Sequence, residues 1–178
     1  FRITPYGKIV DVCDWTVEKD WFVAVAGLNR LLGSPVYTLH AGQSKIGLDE
    51  AIGNVLQIEE LFRCPVGIEG HYPTMNNRFL FDSWQEYDLL LQSNARFVVD
   101  LSHLNIVAHQ SGDFCTSLVK ELLESERCVE IHISDNDGVK DLHRPLTVRP
   151  WWWDVLCGSD TQTDIFSEGS QLRTSYPI

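Results

Sequence analysis

The 178-residue chain lacks any sign of cysteine pairing. Its five cysteines, Cys13, Cys64, Cys115, Cys128 and Cys157, are odd in number, and no two form a Cys-x-x-Cys pair. That excludes a disulfide framework and a zinc knuckle and fits a reducing, cytoplasmic setting. Positive charge is also scarce: 14 Lys and Arg against 25 Asp and Glu leave a net charge of −11. A nucleic-acid surface is therefore disfavoured, because phosphate binding draws its affinity from clustered basic side chains. No apolar run approaches the ~20 residues of a membrane span, so no membrane partner is expected. The opening Phe1-Arg-Ile-Thr-Pro-Tyr6 has neither an initiating Met nor the apolar stretch of a signal peptide, and a fragment or a trimmed N-terminus is expected. With no linker or low-complexity segment, residues 1–178 read as one domain, and a hydrophobic content of 44% is enough to give it a core.

What is present is a repeating strand and helix plan. After an irregular opening segment to about residue 16, Trp21, Val25, Leu28 and Leu32 recur at helical spacing and predict an amphipathic helix over 17–32, closed by Gly33. Pro35-Val-Tyr-Thr-Leu-His40 reads as a short buried strand. Ile52, Val55, Leu56, Ile58 and Phe62 mark a helix over 48–62, and Cys64-Pro-Val-Gly-Ile-Glu69 the next strand. Gly70 to Phe81 is read as a loop, and Ser83 as the N-cap of a helix over 84–93, with Glu86 placed for a capping box. Arg96-Phe-Val-Val-Asp100, with His103 just beyond its end, and Cys128-Val-Glu-Ile-His-Ile133 are two further strands, with a helix over 113–126 between them and Asp113 as its N-cap. The strands are apolar throughout and about 30 residues apart, the signature of βαβ units in a parallel sheet covered on both faces. The run Trp151-Trp-Trp153 predicts a helix packed on the sheet, or else an aromatic wall beside a substrate.

Four of these strands end in a residue able to bind metal: His40, Glu69, Asp100 and His132. Alone, each is more often a satisfied polar group or a helix cap than a ligand. Together they are a pattern, because strand ends in a parallel sheet converge on one face. A mixture of carboxylates and imidazoles suits transition metals and Zn rather than Ca. His103, Asp141 and His143 add ligand types close by, whereas His71 and His109 fall outside the pattern. Asp135-Asn-Asp-Gly138 looks like part of a calcium loop, but the register places Ile133 first and Arg144 twelfth, so no such cage closes.

In their order and spacing, Val66-Gly-Ile-Glu69, Val98-Val-Asp-Leu-Ser-His103, Ile131-His-Ile-Ser-Asp-Asn-Asp-Gly138 and Asp141-Leu-His143 resemble the metal motifs of the xylose-isomerase-like TIM barrels. That superfamily holds sugar and sugar-phosphate isomerases and epimerases and the endonuclease IV type of apurinic endonuclease. The resemblance implies an α/β fold, a partial TIM (β/α)8 barrel of about five consecutive strands with their helices. It implies a divalent metal (Mn, Co, Zn or Mg) held by Glu69, Asp100 and His132, with Glu69 also the catalytic base. His40, His103, Asp141 and His143 would bind a second metal or substrate. The implied activity is isomerisation or epimerisation of a sugar or sugar phosphate through an enediolate. A zinc-dependent phosphodiesterase acting at abasic DNA and a degenerate barrel serving as a binding or scaffold module are the alternatives. The family's fourth ligand is a Glu at the end of the seventh strand. Tyr176-Pro-Ile178 resembles the start of that strand, so the Glu is expected to lie just beyond the chain, and the N-terminal strands are expected to be missing as well.

Overall fold

The computed structural model describes residues 3–4, 7–75 and 78–169. A single 3-10 turn, Val12–Asp14, precedes helix α1 (Lys19–Leu32), which ends at Gly33 in the left-handed conformation, φ 66°, where glycine carries no Cβ penalty. Strand β1 (Tyr37–His40), helix α2 (Leu48–Phe62), strand β2 (Val66–Glu69) and helix α3 (Trp84–Gln92) follow. Ser83 caps α3 by accepting from the Glu86 amide. The reciprocal half of the expected capping box is displaced by one residue, since the Glu86 carboxylate accepts from the Asp82 amide instead.

Strand β3 (Arg96–Asp100) ends at Asp100, as expected, and passes directly into helix α4 (Leu101–Ser111), which was not expected from the sequence. The switch occurs at Asp100, whose carboxylate accepts from the Ser102 and His103 amides and so satisfies donors that a helix start leaves orphaned. Helix α5 (Thr116–Glu124) is shorter than the helix expected over 113–126, and its N-cap is Cys115 rather than Asp113. Asp113 instead accepts from the Cys115 thiol. Strand β4 (Cys128–Ile133), helix α6 (Trp153–Cys157) and strand β5 (Ile165–Ser167) complete the described chain.

The five strands form one sheet in the order β1-β2-β3-β4-β5, and every neighbouring pair is parallel. Sequential parallel strands joined by helices are the unit from which a (β/α) barrel is built. Phe62, Phe97, Leu101, Leu104, Ile131 and Trp152 are among the residues of the core between sheet and helices. Trp152 is only 1% exposed, so the tryptophan run does pack inward, while Trp151 donates its indole N–H to Asn105 Oδ1 at 2.8 Å. No helix among the described residues is long and apolar enough to cross a membrane.

Candidate metal centre

The register of the sheet delivers the strand-end residues to one rim. His40 pairs with Glu69, Asp100 pairs with His132, and His132 in turn pairs with Phe166, two residues before Glu168. Glu69, Asp100 and His132 are all buried, and each offers a ligand atom within 4.8 Å of the others. The group His40, Glu69 and His103 meets the same measure, so Glu69 belongs to both.

Two buried atoms of the first group have no hydrogen-bond partner, Oδ2 of Asp100 and Nδ1 of His132. Leaving such atoms without a hydrogen bond costs about 1–3 kcal/mol each, a cost that a bound cation would offset. Oδ1 of Asp100 is fully used, accepting from the Ser102 amide at 2.7 Å, the Ser102 hydroxyl at 2.6 Å and the His103 amide at 3.2 Å. Asp100 is thus a helix cap through one oxygen, while the other accepts no hydrogen bond and lies 3.5 Å from His103 Nε2. Nδ1 of His132 stands 3.7 Å from Glu69 Oε1 and 3.6 Å from Glu168 Oε1, too far for hydrogen bonds. Two ligands about 2.1 Å from one tetrahedral ion are separated by roughly 3.4 Å, so a divalent cation fits this donor set.

Glu168 is the residue that sequence reasoning missed. The carboxylate expected beyond Ile178 has a counterpart inside the chain, directly after β5, facing His132 and 3.9 Å from His143 Nε2. Ile165-Phe-Ser-Glu168 repeats the plan of Val66-Gly-Ile-Glu69, and that repetition was the available signal. The segment Tyr176–Ile178, read as a strand opening, lies outside the described residues.

The remaining predicted residues surround this cluster. His40 Nε2 is 3.2 Å from Glu69 Oε1. His103 sits in the first turn of α4, its Nδ1 2.9 Å from the Gly70 carbonyl and its Nε2 3.4 Å from Asp141 Oδ2. His143, at φ 45°, reaches the same Asp141 oxygen at 2.6 Å. The His71 ring stacks on His40 with centroids 4.8 Å apart and borders the site, whereas His109 lies exposed on α4 against Phe114. Tyr72, not anticipated, places its ring 4.9 Å from that of His103.

Charge is tightly balanced here. Burial pushes the Glu69 carboxyl up, but His40, His132 and His103 outweigh it and hold the group well below the ordinary carboxylate range. Glu168 moves the other way: burial, then the charges of Asp100 and Glu69, raise it against the pull of His132 and His143. Three carboxylates, Glu69, Asp100 and Glu168, share this rim with three imidazoles, His40, His103 and His132, and a divalent cation would add positive charge among the carboxylates.

No family model matches the sequence, and no curated protein matches it either. Solved structures do. A D-tagatose 3-epimerase-like protein aligns with a TM-score of 0.61 over 85% of this chain and 61% of its own, at 17% identity. The fold is that of a partial TIM barrel. A xylose isomerase domain containing protein from Salmonella typhimurium aligns at TM-score 0.54 over 86% of this chain and 61% of its own, with 12% identity. An AP endonuclease, family 2, from Brucella melitensis gives 0.51 over 87% and 65%, with 14% identity. The chain therefore spans less than two thirds of these barrels. At such identities the likeness establishes architecture, and function has to be argued from the site.

Proposed function

We propose that this chain carries the metal centre of a divalent-metal-dependent isomerase or epimerase acting on an open-chain sugar or sugar phosphate. The observation that supports this most directly is the pair of unpartnered buried atoms, Asp100 Oδ2 and His132 Nδ1, set among further carboxylates on the rim where strand ends meet. Glu69, Asp100, His132 and Glu168 would hold the ion, whether Mn, Co, Zn or Mg. When bound, it supplies Lewis acidity toward a carbonyl and the hydroxyl beside it.

Glu69 acts as general base. Its carboxylate is kept ionised by the three imidazoles around it and takes the proton from the carbon next to the substrate carbonyl, leaving an enediolate. Return of a proton to the neighbouring carbon isomerises the sugar, and return to the opposite face of the same carbon epimerises it. Glu168, which approaches the same His132 nitrogen as Glu69, would serve that opposite face. His40 and His143, at the margins of the cluster, are available to bind substrate hydroxyls. Burial of the carboxylates keeps competing water away from the reacting carbon.

A second reading, a zinc phosphodiesterase acting at abasic DNA, draws on the second group of ligand types, His40, Glu69 and His103, which continues through Asp141 to His143. One experiment separates the two. Purified protein loaded with Mn or Co is incubated in D2O with a panel of ketoses and aldoses. The proposal expects deuterium beside the carbonyl, detected by NMR and absent in Glu69→Gln. Cleavage of an abasic duplex with no deuterium exchange would instead favour the second reading.

A further inference from the structure

His132 uses its two ring nitrogens differently. Nδ1 faces Glu69 and Glu168 and has no hydrogen-bond partner, while Nε2 lies 3.2 Å from Oε2 of Glu130. Both residues come from β4, two apart and so on one face of the sheet, just after a local irregularity in the ladder. Phe97 pairs with Cys128 but Val98 pairs with Glu130, so Val129 is an extra residue in the ladder. Such a bulge re-aims the side chains that follow it. Val129 packs toward Gly67, where a Cβ on the glycine would come within 2.5 Å of the valine. Glu130 sits two residues before His132, behind its ring, with a side chain only 21% exposed. The Phe166 ring stands edge-on to the imidazole, with centroids 6.3 Å apart.

We infer that Glu130 is a positioning residue for the metal centre, accepting the Nε2–H of His132 and thereby fixing Nδ1 as the nitrogen left free to ligate. The inference rests on the proposed metal site but concerns a residue that touches neither ion nor substrate. A neutral imidazole carries one proton, and whichever nitrogen donates leaves the other as the ligand. A carboxylate behind the ring settles that choice, restricts ring rotation and makes the imidazole a better donor to a cation. Glu130 is well suited to this role because its own charge is half-buried and Nε2 of His132 is within hydrogen-bonding distance.

The test is Zn affinity by chelator competition, together with the visible spectrum of the Co-loaded protein, on wild type, Glu130→Leu and Glu130→Gln. Glu130→Leu, of similar reach but with no acceptor, is expected to bind Zn about 10–100-fold more weakly and to shift the Co bands. Glu130→Gln keeps an amide oxygen that accepts from Nε2 and should recover most of the loss. Melting of the metal-free variants checks that both fold. Wild-type affinity in Glu130→Leu would overturn the inference, and so would an equal loss in both variants, because then charge alone and not the acceptor would matter. A wild type that takes up no Zn would overturn the metal site itself, and this inference with it.

Discussion

Ser102 holds Oδ1 of Asp100 from two sides, its amide at 2.7 Å and its hydroxyl at 2.6 Å, and so leaves Oδ2 buried with no hydrogen bond. One carboxylate thus starts α4 and belongs to the candidate metal centre at once. The two duties can be separated by mutation. Asn is as good an N-cap as Asp, so Asp100→Asn should melt within about 1 kcal/mol of wild type in EDTA yet lose the rise in Tm that Zn produces. Asp100→Ala should lose that rise and, in addition, about 1 kcal/mol of metal-free stability. Thermal melts with and without Zn decide it.

Removing Glu168 tests the residue at the end of β5. Glu168→Gln should weaken Zn binding at least about tenfold, ~1.4 kcal/mol. Metal-free stability should hold or rise, because the carboxylate is repelled by Asp100 and Glu69. Titration calorimetry on the variant and the wild type makes the comparison. Equal affinities would remove Glu168 from the ligand set.

The metal-free protein should lose stability in alkali. Burial disfavours the His103 cation, yet Asp100, Asp141 and Glu69 outweigh burial and raise its pKa to about 10. A histidine whose folded value lies above its unfolded value of about 6.5 stabilises fully below pH 6.5 and loses that contribution as pH rises through 10. The Tm measured in EDTA should therefore fall between pH 6.5 and 10, and His103→Gln should flatten the fall. A wild-type profile no steeper than that of the variant would count against the ion-paired state.

Gly70 permits a close approach. A Cβ there would come within 2.5 Å of the Tyr87 hydroxyl, which donates to the His71 carbonyl at 2.9 Å from a fully buried ring. Gly70→Ala should cost about 1–3 kcal/mol by overpacking. Because the Gly70 carbonyl also contacts His103 Nδ1, the same variant should disturb the site. Denaturant melts give the first effect and Zn affinity the second.

The parallel strand plan was legible because β1 to β4 are short apolar runs punctuated by Gly, Pro and polar turns, and four of them end in His, Glu or Asp. Helix α4 was not, because Leu101 to Ala108 are buried throughout. A helix covered on all sides shows no 3.6-residue alternation to mark it. Strand β5 escaped for the opposite reason. Its three residues are all exposed, Ile165 at 47% and Phe166 at 49%, and lie among Ser, Thr, Asp and Gly. With β5 unmarked, nothing in the sequence set Glu168 at a strand end, and the last carboxylate was expected beyond Ile178.

The brevity of β5 has a dynamic consequence. A three-residue outermost strand, held to β4 by a short ladder and by amide bonds from Ile131 to the Asp164 carbonyl and from Glu168 to the Ile133 carbonyl, belongs to the parts of a protein that open first. Glu168 can reach His132 only while that ladder is zipped. Capture of an ion by Glu168 and closure of β5 are then one equilibrium, with the ion working as a clasp. Amide hydrogen exchange at Ile165 to Glu168 should slow on addition of Zn more than anywhere else in the sheet, and Glu168→Gln should abolish that local protection while leaving exchange in β2 and β3 as it was.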